Sequence, residues 1–158
     1  MITKEALQYY DNTQKEIKNK QHEGLSKFIY YKIAVCAAAI AFSVNICIKL
    51  KLEYPQIPIG IAVLCWALSI FFGFKFLETS SSMLELNSAF FDVLTGRHSE
   101  VGNIPEKIEI NAKAIEKLIY KKAYQTGTFS IIQTRLIYIG GIFFIIWAII
   151  QMWLNSQT

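Results

Sequence analysis

One stretch of this chain is dense in residues that do chemistry: Gly96, Arg97, His98, Ser99, Glu100, Val101, Gly102 and Asn103 follow one another. The planar guanidinium of Arg97 could clamp a phosphate or carboxylate through two parallel hydrogen bonds. His98 would add a donor that titrates near neutrality. Glu100 and Asn103 would complete a contact for a small anionic ligand or a cytoplasmic protein. The same residue types also make a solvated turn, which Gly, Ser and Asn favour for conformational reasons. The turn is the better reading, because Arg97 and His98 are adjacent and their side chains need not converge. A ribonuclease-type spacing of Arg and His is absent. An enzyme acting at a membrane surface through Arg97, His98 and Glu100 is therefore the weakest functional reading.

Elsewhere such residues are sparse. Two Asp (Asp11, Asp92) and two His (His22, His98) are all the chain has of those types. No Gly-rich phosphate loop, nucleophile elbow or metal-ligand spacing occurs. Cys36, Cys47 and Cys65 all fall in apolar runs, where a thiol packs as a small hydrophobe. The sequence thus predicts no catalytic residue, no cofactor and no metal. A net charge of +4 does not argue for nucleic acid, since no basic cluster is interleaved with aromatics.

The elements that position these residues belong to a membrane. Hydrophobic residues make up 53% of the 158, and the mean hydropathy is positive. Three runs, 33–48, 57–74 and 136–154, contain no charge. A span needs roughly 20 apolar residues, which the second and third approach. The first is shorter, but Lys32 and Lys49 can extend along their alkyl stems to the headgroups. Six of the sixteen basic residues precede the first run, two (Lys49, Lys51) lie in the first connection, eight in the second, and none in the tail. Cytoplasmic segments retain Lys and Arg, so the N-terminus and long connection are expected inside and the C-terminus outside. The localisation expected is a bacterial inner membrane. A polar segment precedes the first run, so no secretory leader is expected.

Five segments follow. Residues 1–27 read as an N-terminal cytoplasmic helix, with Leu7, Tyr10, Ile17, Leu25 and Phe28 on one stripe and a break at Gly24. Residues 28–50, 57–77 and 135–154 read as transmembrane helices. Between the last two, 78–134 reads as a cytoplasmic helical hairpin. Its descending arm should close at Thr95-Gly96. Its returning arm should start with an Asn103 N-cap, Pro105 in the first turn and Glu106 completing a capping box. A break at 125–128 is expected, leaving 129–134 along the headgroups, because an unbroken arm would be too long for its partner.

Within the spans, small and polar side chains should mediate packing where lipid supplies no hydrophobic drive between helices. These are Ala37, Ala41 and Asn45 in the first, Ser69 and Gly73 in the second, and Gly141 and Ala148 in the third. Faces left unsatisfied within one chain would suit a homo-oligomer. On the hairpin, Lys113, Lys117 and Lys121 share a solvated face, and Lys121 with Lys122 should lie near enough to contact lipid headgroups. The predicted fold is all-α: three transmembrane helices, a cytoplasmic hairpin and an N-terminal helix. In layout, rather than in any motif, the chain resembles small prokaryotic membrane effectors that act with cytoplasmic sensors in antiviral defence. The small-residue faces and the hairpin together point to a non-enzymatic, homo-oligomeric effector or anchor, controlled through the hairpin, whose output is a change in membrane permeability or anchoring. The alternative is an immunity protein that meets a pore-forming toxin within the bilayer.

Overall fold

The computed structural model describes residues 4–48, 54–96 and 104–156, the side chains of 4–19, 21 and 22 excepted. Long uninterrupted apolar segments have one way to satisfy every backbone group locally, which is the α-helix. Three form: α1 (Lys4–Cys47), α2 (Ile57–Leu94) and α3 (Pro105–Asn155), with a 3₁₀ turn at Tyr54–Gln56 leading into α2. Each contains a segment long and apolar enough to cross a membrane. No strand occurs among the described residues.

Local chemistry explains where the helices start and stop. Pro58 and Pro105 occupy first turns, where a missing N–H costs nothing. α2 ends as the sequence predicts. Thr95 N–H bonds to Phe91 O at 2.9 Å, Gly96 N–H bonds to Val93 O at 3.1 Å, and Gly96 takes φ 68°. Only glycine adopts that left-handed conformation without steric cost. The start of α3 falls one residue later than expected. Ile104 is the cap, with φ −96° and ψ 112°, because a residue before proline is pushed out of the helical region. Glu106 therefore takes the second helical position instead of the third, and Asn103, the expected cap, lies outside the described residues.

Two predicted breaks are absent. α1 runs straight through Gly24, which costs about 1 kcal/mol relative to alanine but does not stop a helix by itself. Glu23 and Lys27 are joined across that turn at 2.6 Å. α3 runs through 125–128 as well. The hydroxyls of Thr126 and Thr128 donate to the carbonyls of Lys122 and Tyr124 at 2.8 and 3.0 Å, which absorbs both threonines into the helix. At 1.5 Å per residue α3 is about 76 Å long and α2 about 57 Å. The arms need not match in length, because α3 overhangs α2 at both ends.

Packing follows a seven-residue interval. α1 buries Ile29, Cys36 and Ser43; α3 buries Gln133, Gly140 and Trp147. α2 buries Ile59, Ala62, Trp66, Ser69, Gly73, Phe76 and Ser80, alternating steps of three and four, and so supplies the central face. This is left-handed coiled-coil packing. α2 runs antiparallel to α3, shown by Gln56 against Trp147, Trp66 against Phe144 and Phe72 against Phe129. α1 and α3 run parallel, with Lys32 against Thr134 and Phe42 against Phe144. The core is aromatic: Phe144 lies 5.9 Å from Trp66 and 5.6 Å from Trp147, ring centre to ring centre.

Gly140 lies directly under the Trp66 indole, where an added Cβ would fall 2.6 to 3.0 Å from three ring atoms. Its neighbour Gly141 has nothing within 4 Å. Gly140→Ala should therefore lower stability by about 1–3 kcal/mol through overpacking. Gly141→Ala should stay within about 0.5 kcal/mol. Denaturant titration of both variants in mild detergent measures the contrast, and equal stability would place the α2–α3 seam elsewhere.

Candidate functional site

At one level of the apolar region, buried polar side chains from all three helices meet. Cys36 Sγ on α1 donates to Ser69 Oγ on α2 at 3.6 Å. Ser69 Oγ donates in turn to the backbone carbonyl of Gln133 on α3 at 3.1 Å. All three residues are buried. The Gln133 carboxamide is fully buried, and neither its nitrogen nor its oxygen has a partner among the described residues. Ser43 Oγ is in the same position two turns along α1. An amide taken from water without a compensating hydrogen bond costs a few kcal/mol. The layer is therefore an expensive feature.

Gly73 makes room for it. A Cβ there would fall 2.5 Å from Gln133 Nε2 and 2.9 Å from Ile33 Cγ1, so only glycine lets α2 come this close to both neighbours. Next to Gln133, Thr134 Oγ1 accepts a hydrogen bond from Lys32 Nζ at 2.9 Å. That ammonium also stands 4.4 Å from the centre of the Phe28 ring. Chemically, the arrangement holds helices in register. Cys36 donates its S–H to a hydroxyl, and among the described residues no base stands beside it to raise a thiolate. Among the described residues, no three His, Cys, Asp or Glu lie together as a metal would require.

The structure separates the residues singled out from sequence. Arg97, His98, Glu100 and Asn103 lie outside the described residues. Ser69 and Gly73 sit at the centre of the layer. Ala37, Ala41 and Asn45 are exposed on α1, turned away from the seam of Ile29, Cys36 and Ser43. Gly141 and Ala148 are half-buried. Lys121 is exposed and Lys122 half-buried. Because α3 is unbroken, both lie about 20 Å along its axis from Arg135. Lys113 donates to Glu109 at 2.6 Å; that bond and its charge hold the Glu109 carboxyl below its ordinary pKa and raise that of Lys113.

Gln133, Ser43, Gly140 and the Lys32–Thr134 bond are not evident in a residue-by-residue reading. The available signal was the recurrence of 29, 36, 43 and of 133, 140, 147 at intervals of seven, which marks a buried seam whatever the side chains. Comparison with protein-family models, with curated proteins and with solved structures found no match.

The unpaired carboxamide has a measurable consequence. Gln133→Met keeps the length and shape of the side chain and removes both unsatisfied atoms, so stability should rise by about 1–3 kcal/mol. Ser69→Ala should lower it by about 1 kcal/mol, through loss of the bond to α3. Reversible unfolding in detergent reads both changes. A destabilised Gln133→Met would mean that the carboxamide is hydrogen-bonded in solution.

Proposed function

We propose that this chain is a non-enzymatic, homo-oligomeric inner-membrane effector whose helices lie N-terminus in and C-terminus out. Residues 78–134 form its cytoplasmic helical hairpin, which senses or docks a partner. The output is a change in membrane permeability, with anchoring of that partner as the lesser form of the same role. Prokaryotic antiviral defence is the setting its layout resembles.

The observation that carries the oligomer is Asn45. It lies in the uncharged run of α1, one turn before Lys49, and is exposed. Its carboxamide has no partner among the described residues. It continues a face of Ala34, Ala37, Ala38 and Ala41, all exposed as well. Small side chains let helix backbones approach closely, and an Asn pairing across such a contact adds about 1–2 kcal/mol in model peptides. A second copy meets both requirements. The long polar part of the α2–α3 pair supports a docking role, since it extends well beyond the length a bilayer needs.

Orientation rests on the fourteen basic residues assigned inside against the two in the first connection. Reporter fusions after Thr158 should be active only outside the cytoplasm, and fusions near Gly102 only within it. Cytoplasmic activity at both sites would mean that one apolar run does not cross.

Ala41→Ile keeps α1 apolar enough to insert but blocks close approach of a second helix. Native mass in mild detergent should fall from oligomer to monomer, and induced expression should cease to collapse the signal of a membrane-potential dye. A parent protein that is monomeric and leaves the potential unchanged would remove this reading. It would favour an immunity protein that offers the same α1 face to a toxin helix.

A further inference from the structure

Two cations on different helices stand at one edge of the apolar runs, each without an acid partner among the described residues. Lys32 closes α1 onto α3 through Thr134 Oγ1 and rests over the Phe28 ring. Arg135 follows Thr134 directly and is exposed. Gly73 abuts both Ile33 and Gln133, so Lys75, two residues on, lies within about one turn of the same level. Lys75 is neutralised by Glu78 at 2.7 Å, as Lys27 is by Glu23 and Lys113 by Glu109, each at 2.6 Å. Among the described residues, neither Lys32 nor Arg135 has such an acid.

Thr134 and Phe28 orient the Lys32 ammonium but do not neutralise it. They use one of its three donors and one face of its charge. Among the described residues nothing engages the Arg135 guanidinium, so its whole fork is open to two oxygens of a phosphate. Exposed tyrosines flank the pair: Tyr31 beside Lys32, 71% exposed, and Tyr138 one turn beyond Thr134, 68% exposed. Tyrosine concentrates where a bilayer changes from hydrocarbon to headgroup. Lys121 and Lys122, about 20 Å along α3, are too far to share an anion at this level.

We propose that Lys32, Thr134 and Arg135 form a binding site for the phosphate of an anionic phospholipid, seated between α1 and α3 at the headgroup level. The phosphodiester takes charge-assisted bonds from the Lys32 ammonium and the Arg135 fork, while Thr134 holds the lysine in place. The acyl chains continue along the exposed apolar surfaces of the two helices, where Val35 and Ile139 project. This placement makes the ligand a lipid and not a free ion. The site depends only on the chain being an integral membrane protein, and not on the effector reading.

Native mass spectrometry of the full chain from a non-ionic detergent, with added phosphatidylglycerol or phosphatidylcholine, tests the site. The parent should bind phosphatidylglycerol more tightly than phosphatidylcholine. A basic residue near a headgroup contributes enough that Lys32→Gln and Arg135→Gln should each weaken phosphatidylglycerol binding roughly five-fold. Lys117→Gln removes the same charge at a distance and should bind as the parent does. Arg135→Lys retains charge without the fork, so it should fall between the parent and Arg135→Gln. That variant also keeps the test open should Arg135→Gln fail to fold. Parental affinity in both glutamine variants, equal affinity for the two lipids, or full displacement of phosphatidylglycerol by an equal concentration of inorganic phosphate would each overturn the proposal.

Discussion

Two reciprocal contacts between α2 and α3 govern the rest of the packing. The Trp66 indole of α2 lies on Gly140 of α3, and the Gln133 carboxamide of α3 lies on Gly73 of α2. Within each helix the large and the small residue are seven positions apart, so each contact is the inverse of the other. Lipid tails are as apolar as the side chains they would replace, and so give helices no hydrophobic reason to associate. Close contact between well-matched surfaces must supply the attraction, and it falls away sharply with small gaps. A slip of one heptad would set Trp66 against Gln133 or Trp147, two large side chains where one glycine had been. Register is thereby specified by shape.

Polar groups complete the specification. Ser69 links α1 to α3 through a thiol on one side and a carbonyl on the other. Trp147 Nε1 donates to Gln56 Oε1 at 2.9 Å, tying α3 to the residue that precedes α2. The aromatic body of Trp147 is buried while its N–H finds a partner, the usual resolution for an amphipathic ring. Gln133 is the exception, since its amide fills space without bonding. A polar residue kept at a seam position commonly trades stability for a defined arrangement.

The number and apolarity of the long helices were legible from sequence because charge-free runs of this length have few other fates. The α2 terminus was legible too, since Thr95-Gly96 carries a local conformational reason to stop. The two breaks assigned at Gly24 and 125–128 were not, because glycine and threonine only weaken a helix. Whether it continues depends on the carbonyls that the Thr126 and Thr128 hydroxyls reach and on neighbouring pairs such as Glu23–Lys27. A break at 125–128 would put Gln133 on a segment along the membrane surface, whereas the continuous helix carries it into the seam. Among the small residues, composition identified candidates but could not orient them. Ser69 and Gly73 face the seam whereas Ala37 and Ala41 face away, and only the phase of the seven-residue interval separates these cases.

α3 is one continuous helix from Pro105 to Asn155. From Arg135 it extends about 45 Å to Pro105 and about 30 Å to Asn155, at 1.5 Å per residue. If it pivots near Arg135, a sideways push of 3 Å at the Pro105 end moves the far end about 2 Å the opposite way, by simple leverage. If α3 moves as one body, α2, keyed to it through Trp66 and Gln133, must follow.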